Sequence, residues 1–294
     1  GTTSVALVYS FLKEIYPLVE YYIPDRYKEG YGVSVQGINY ASENNFSLII
    51  ALDCGIKAVD KIDYANTLNV DFIICDHHRP GDKIPNAAAV LDPKRVDCNY
   101  PYKELSGCGV GFKLMEAFSI QNGIDTSKIY SYLDFLAISI AADIVPITGE
   151  NRILAFHGLK IINQNVRAGI GLLKELAGLE DAKNITITNL VFGFAPRINA
   201  AGRMGDAKDA VKLMVAKSKE EGNEIAQLIN KKNTDRREVD SAITEEVLDE
   251  ILQNDILKNA KTTVLFNKNW HKGVIGIVAS RSIETYYRPT IILT

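Results

Sequence analysis

The chain reads as an α/β protein: a doubly wound, mostly parallel sheet with a helical layer, a long connecting helix and the start of a second α/β domain. Three observations carry this. Between Thr2 and Asp76, short apolar runs alternate with stretches of helical periodicity, the pattern of parallel strands joined by crossover helices. After Gly107-Cys-Gly-Val-Gly111 the period turns helical. From about Ser218 to Gln253 the chain is dense in Glu, Lys, Asp and Arg with apolar residues at helical spacing. It has no proline and one glycine, Gly222, which predicts one long solvated helix.

Taken in order, the periodicity predicts a helix from Thr2 to about Tyr16, a strand-like run Val19 to Ile23, and a helix near Val33 to Asn44. A strand Leu48 to Asp53, a helix Ala58 to Asn69 and a strand Phe72 to Asp76 follow. Ala87 to Pro93 adds a short strand stopped by proline. Helices are expected over Phe112 to Gln121, Ser127 to Ala142 and Asn151 to Asn163. Beyond the long helix, Thr262 to Phe266 is strand-like, Gly273 to Tyr287 helical and Arg288 to Leu293 strand-like, a β-α-β beginning. The domain division this implies is 1–215, a connecting helix over 216–256, and the start of a second domain over 257–294.

At 294 residues the chain is long enough for about two cores. Its apolar fraction of 47% and charged fraction of 23% are those of a globular protein, with no run approaching a membrane span and no basic-then-apolar leader, so a cytoplasmic location is expected. Cys54, Cys75, Cys98 and Cys108 lack C-x-x-C spacing and are expected as small buried hydrophobes. A net charge of -3 supplies no global attraction to nucleic acid, so polyanion binding must come from local basic residues or bound metals.

The chemistry concentrates where apolar runs end. Residues 71 to 81 run Asp-Phe-Ile-Ile-Cys-Asp-His-His-Arg-Pro-Gly, placing Asp76, His77 and His78 at the carboxyl end of a buried strand. Carboxylates and imidazoles crowded there cost desolvation and add nothing to packing, so a bound polar group, most simply metal ions, must offset them. Leu48 to Asp53 closes on another acid, and Leu136 to Asp143 on a third. Ligands of open parallel sheets bind outside the carboxyl strand ends, where these groups converge. Mixed oxygen and nitrogen donors suit manganese or magnesium better than zinc. Adjacent strand residues face opposite ways, so one histidine is expected on metal and the other on substrate.

The Asp-His-His triplet, Ala-Leu-Asp53-Cys-Gly and Ala-Ala-Asp143-Ile-Val-Pro together resemble the motifs of the DHH phosphoesterase superfamily. Phe194 to Arg203 and Trp270 to Arg281 resemble its RecJ family of single-strand-specific 5′ to 3′ DNA exonucleases, and the likeness spans nearly the whole chain. That resemblance implies two-metal hydrolysis of single-stranded DNA with release of nucleotide 5′-monophosphates, in repair and recombination. It implies that Asp53 bridges two Mn²⁺ or Mg²⁺ ions, that His77 and Asp143 are ligands, that Asp76 orients them, and that His78 touches the scissile phosphate. Residues 257–294 would open a DHHA1 domain. Arg197, Asn199, Arg203, His271, Ser280 and Arg281 become the nucleic-acid-binding candidates. Arg197 and Arg203 are expected in a loop, and Ser280 and Arg281 inside a helix, where their side chains reach a terminal phosphate. A single-strand-binding protein or a helicase is the kind of partner implied.

The family's Asp-x-Asp motif stands immediately before a helix start like Gly1-Thr2-Thr3-Ser4, and its Gly-Gly-Gly-His and oligonucleotide-binding segments follow Thr294. The expectation is a piece of a longer protein with an incomplete two-metal site. Two other readings stand beside this one: a phosphodiesterase for short oligonucleotides or cyclic dinucleotides, and a non-catalytic DNA-binding scaffold. Lys231, Lys232, Arg236 and Arg237 read as a solvated helix face. His157 is assigned to helix packing, His271 has a capping role as its alternative, and Trp270 and Tyr31 are candidates to stack on bases.

Overall fold

The computed structural model describes residues 1–294. The first half runs α1 (Thr2–Ile15), α2 (Val35–Glu43), β1 (Leu48–Leu52), α3 (Val59–Thr67), β2 (Asp71–Cys75) and β3 (Ala89–Leu91). The strands form one parallel sheet in the order β1-β2-β3, with Leu52 opposite Cys75 and Cys75 opposite Leu91. Strand alternation sends Ala51, Phe72, Ile74 and Val90 to one face, against Ile38 and Ala41 of α2 and Ile62 and Ala65 of α3. It sends Leu52, Ile73, Cys75 and Leu91 to the other, against Leu7 and Phe11 of α1 and the helices that follow. Helices therefore cover both faces, as a doubly wound sheet requires.

Next come α4 (Gly107–Gln121), α5 (Ser127–Tyr130), α6 (Leu133–Ala142), α7 (Gly149–Gln164), α8 (Ala168–Leu176), α9 (Ile187–Asn189), a π-helical turn at Leu190–Phe194, α10 (Ala195–Arg203) and α11 (Lys208–Val215). Helix α6 is buried nearly all round, with Phe135, Leu136, Ile138 and Ile140 in the largest core. At Gly158 helix α7 comes so close that an added Cβ would lie 2.1 Å from the Leu133 carbonyl oxygen. The 35-residue α12 (Lys219–Gln253) packs against α8, α10 and α11 with its first half and against the second unit with its last. That unit comprises α13 (Asp255–Asn259), β4 (Thr263–Phe266), α14 (Ile275–Thr285) and β5 (Thr290–Leu293). Its strands pair in parallel, and its small core joins Val247 and Ile251 of α12 to Trp270, Val278 and Ile292.

Several expectations need correction. Val19–Ile23 is not a strand: it has no ladder hydrogen bonds and lines a cleft of about 1400 Å³ beside the free edge of β1. The single helix expected over Ser127 to Ala142 is broken, and the Ser131 carbonyl at the break accepts from Arg167 Nη2 at 2.5 Å. Helix α4 begins five residues earlier than its periodicity suggests, because the Ser106 hydroxyl caps it by accepting from Gly109 N at 3.1 Å. The loop expected around Arg197 and Arg203 is helix α10. Trp270 is core, and its indole Nε1 donates to Glu246 at 3.0 Å. His157 is exposed; its neighbour Gly158 does the packing. Lys231 and Arg237 are solvated as expected, whereas Lys232 pairs with Asp209 at 2.8 Å and Arg236 turns inward. All four cysteines are free, and Cys75 and Cys108 are fully buried. No helix is long and apolar enough to cross a membrane.

Candidate metal centre and anion groove

The sheet delivers its chemistry just past the strand ends. Asp53 N donates to the Cys75 carbonyl at 2.8 Å and Asp76 N to that of Leu91 at 3.0 Å, so the ladder runs on into both acids. Asp53 then turns left-handed, with φ of 63°, a conformation aspartate tolerates better than most residues. That turn lays its carboxylate over the first residue of α4, Gly107, where an added Cβ would lie 1.9 Å from Oδ1. The helix N-terminus beneath it favours the negative charge.

Asp76 is an organiser. Buried, it accepts from Ile56 N (3.0 Å), His77 N (2.8 Å), His78 N (3.2 Å) and His78 Nδ1 (2.6 Å). These bonds fold the chain sharply after β2 and turn His77 inward and His78 outward, the latter side chain 50% exposed. The divergence expected from strand geometry is thus realised by a turn that Asp76 holds. Asp143 arrives as the C-cap of α6.

His77 joins the two strand-end systems. Its Nδ1 lies 3.1 Å from the Leu105 carbonyl, a pure acceptor, so Nδ1 carries the proton and donates. Its Nε2 then faces Asp53 Oδ1 at 3.2 Å and Asp143 Oδ2 at 3.3 Å. In the neutral ring Nε2 is an acceptor set against two carboxylate acceptors, and Asp53 Oδ1 is buried without a hydrogen-bond partner. Burial by itself would lower the His77 pKa, but the Asp53 and Asp143 carboxylates outweigh it and raise it. Burial would likewise raise that of Asp53, yet its bond with His77 lowers it. A cluster that demands positive charge, with ligand atoms of Asp53, His77 and His78 within 4.8 Å of one another, fits a divalent cation.

The basic candidates separate. Asn199 and Arg203 line a cavity of about 240 Å³ together with Ala141 and Ala142, the residues just before Asp143, and Ile277 of α14. Arg203 Nη1 donates to the Gly273 carbonyl at 2.9 Å, tying the first unit to the second, while Tyr27 donates its hydroxyl proton to the Arg203 carbonyl. Ser280 and Arg281 lie inside α14, with Ser280 Oγ donating to the Gly276 carbonyl at 3.1 Å. His271 Nδ1 accepts from Gly273 N at 3.0 Å, a local turn bond, and its ring meets Tyr27 edge-on. Gly273 N is therefore engaged by His271 and is not a free anion donor. Arg197 needs the clearest correction. Its guanidinium donates to the carbonyls of Gly193 (2.6 Å) and Leu176 and to Asn230 Oδ1 (3.3 Å), so it braces α10 and has no free fork for phosphate.

Two contributors, Gly107 and the Leu105 carbonyl, are not apparent from the sequence pattern, nor is the burial of Asp240. Gly107 lies in a glycine-rich stretch whose only sequence signal is a change of period. The Leu105 carbonyl carries no side-chain signal. Asp240, on the long charged helix, is told from its neighbours only by burial.

Comparison with known proteins gives the family and the fold. Residues 1–140 match the family described as DHH family, N-terminal domain. The chain is 38% identical to the single-stranded-DNA-specific exonuclease RecJ of Bacillus subtilis (strain 168), with 100% of this chain aligned to 36% of that protein. It is 33% identical to RecJ of Escherichia coli (strain K12), with 99% of this chain and 52% of the relative covered. The chain thus spans between about a third and a half of the curated relatives it matches. A solved structure of exonuclease RecJ bound to manganese superposes with a TM-score of 0.87 at 31% identity, covering 100% of this chain and 72% of the other. On motif, sequence and fold together, the chain belongs to the DHH family, in its RecJ group.

Proposed function

We propose that residues 1–294 form the catalytic part of a manganese- or magnesium-dependent exonuclease. It hydrolyses single-stranded DNA from the 5′ end, releases nucleotide 5′-monophosphates, and serves repair and recombination in the cytoplasm. The observation that carries this reading is that Asp53 Oδ1 and Asp143 Oδ2 each come within 3.3 Å of His77 Nε2, near an arginine-lined cavity. Residues 1–215 would be the DHH catalytic domain, 216–256 the connecting helix and 257–294 the opening of a DHHA1 domain.

Asp53, His77 and Asp143 would hold the cation, with His77 aimed by the Leu105 carbonyl. A divalent cation bound there supplies charge to a phosphoryl oxygen and lowers the pKa of a water. His78, whose Nδ1 is engaged by Asp76, presents Nε2 outward to the scissile phosphate. Asn199 and Arg203 receive phosphate oxygens in the adjoining cavity, and guanidinium forks suit that task. Ser280 and Arg281, with His271, take the terminal phosphate from the α14 side. Holding the strand end in place converts a bimolecular encounter into an oriented one.

The test is manganese titration and nucleotide release in the full-length protein. Asp53→Ala or His77→Ala should abolish tight manganese uptake and lower release by at least about 10³-fold. Undiminished release from either variant would sink the reading, and binding of single strands with no manganese uptake would favour a scaffold.

A further inference from the structure

Two buried acids of the helical part are held in opposite ways. Asp134 is paired one to one: Oδ2 accepts from Arg167 Nε at 2.7 Å and Oδ1 from Phe135 N at 2.9 Å, so both oxygens are satisfied. Asp240, on α12, is equally inaccessible, with 0% of its side chain exposed, yet neither of its oxygens has an aligned donor. What surrounds it is charge. Arg281 Nη2 of α14 stands 3.0 Å from Oδ2, and Arg236 Nη1, one turn back on α12, stands 3.8 Å away with its Nε unpartnered. Arg203 of α10 lines the same small cavity as Arg236, and its charge, with that of Arg281, acts on both Asp240 and Arg236.

We propose that Asp240 is a positioning residue for the anion groove: one buried carboxylate that gathers Arg203, Arg236 and Arg281 from three helices and aims their surplus charge at substrate phosphate. The proposal rests on the phosphodiester reading above and deepens it. A buried carboxylate without aligned hydrogen bonds adds little to stability, and an apolar residue would serve that seam better, as Val247 and Val278 do farther along it. Its contribution is therefore to the arginines. Arg203 and Arg236 line the 240 Å³ cavity that Ala141 and Ala142 share, directly before Asp143, so the gathered charge lies beside the metal cluster. Arg281 keeps 42% of its side chain exposed and is held from one side by Asp240. With that carboxylate neutral, mutual repulsion disperses the guanidinium groups and Arg281 turns to water.

The roles divide as follows. Arg203, Arg236 and Arg281 touch the anion; Asp240 touches only them. Loss of Asp240 should then weaken substrate capture and leave the hydrolytic step nearly intact, a split that a general packing defect would not produce.

The experiment compares full-length wild-type, D240N, R281Q and D240N/R281Q proteins on 5′-phosphorylated and 5′-hydroxyl oligothymidylate, by fluorescence anisotropy and by nucleotide release. For D240N, Kd and KM for the phosphorylated strand should rise about tenfold, the effect of weakening one charged partner of a bound anion, with kcat within about threefold. R281Q, which keeps the buried carboxylate with Arg236, should raise Kd similarly, and the double variant should lose less than the sum of the two single losses, because part of the Asp240 effect runs through Arg281. D240N should also bind phosphorylated and hydroxyl ends nearly alike. Wild-type Kd in D240N, additive losses in the double variant, or a fall in kcat at unchanged KM would each overturn the proposal. If the wild-type protein releases no nucleotide, the exonuclease reading falls, while the Kd comparison still decides the role of Asp240.

Discussion

Gly107→Ala offers the sharpest probe of the metal cluster. The new Cβ would lie 1.9 Å from Asp53 Oδ1, about 1.1 Å inside the 3.0 Å that real Cβ atoms respect, and 2.5 and 2.7 Å from Asp53 Cγ and Cβ. Because the Asp53 Cβ is itself too close, rotating the side chain does not relieve the clash. Either α4 or the left-handed turn at Asp53 must move, and that turn is tied to Cys75 through a 2.8 Å backbone bond. A misplacement of about 1 Å at a reacting centre costs on the order of 10²-fold in rate. Overpacking costs about 1–3 kcal/mol, and the helix preference of alanine over glycine returns about 0.5–1 kcal/mol, so the fold should survive. The assay pairs calorimetric manganese titration with nucleotide release in the full-length protein. Gly109→Ala is the control, since its Cβ would meet Leu105 Cδ2 at 3.3 Å and Ser106 Oγ at 3.4 Å, without touching Asp53. Manganese affinity and rate within about twofold of wild type in Gly107→Ala would refute the reasoning that this glycine exists to admit the carboxylate.

Two further outcomes concern stability. Tyr100 is raised to about 12 by burial and by Glu150; Tyr132 is raised by burial and by Glu14; and Lys113, despite burial, is raised by Glu116 and Glu150. Each group keeps its proton in the folded chain after the unfolded chain has lost it, so their stabilisation is intact below about pH 10 and is lost as pH rises further. Cys54, Cys75 and Cys108, pushed up to about 12 by burial, begin to lose their share already near pH 9, so the melting temperature should start to fall there and drop at least about 3 °C by pH 11, less so in Tyr100→Phe; a flat profile to pH 11 would contradict this. Arg167→Ala should cost about 3 kcal/mol in urea unfolding by stranding the buried Asp134 charge, while Arg167→Ala with Asp134→Leu should recover most of it. A double variant no more stable than the single one would show that packing of Arg167 over Tyr132, 4.3 Å from its ring, carries the effect instead.

How far the sequence can be read follows from the range of each interaction. The parallel sheet is legible because strands buried on both faces read as continuous apolar runs, and Leu48–Leu52 and Asp71–Cys75 fall where those runs do. Helix α12 is legible because periodicity over 35 residues leaves no other local solution. Asp53, His77 and Asp143 can be nominated because acids and imidazoles at the ends of apolar runs are costly without a ligand. Val19–Ile23 misleads because strand propensity needs a neighbouring strand to pair with, and the segment has none.

By itself, then, the sequence determined the main elements, the layer order and the residue types of the centre, all of which depend on local pattern and burial cost. The tertiary structure alone decided which groups face which. It engaged the Arg197 guanidinium with carbonyls, turned His77 and His78 apart around Asp76, fitted Asp53 over a glycine, and set a buried Asp240 against arginines from two helices. Such outcomes join residues as far apart in the chain as Arg203 and Gly273, 70 positions. Charge and hydrogen bonding act through space, and the sequence pattern of one element carries no record of the element packed against it.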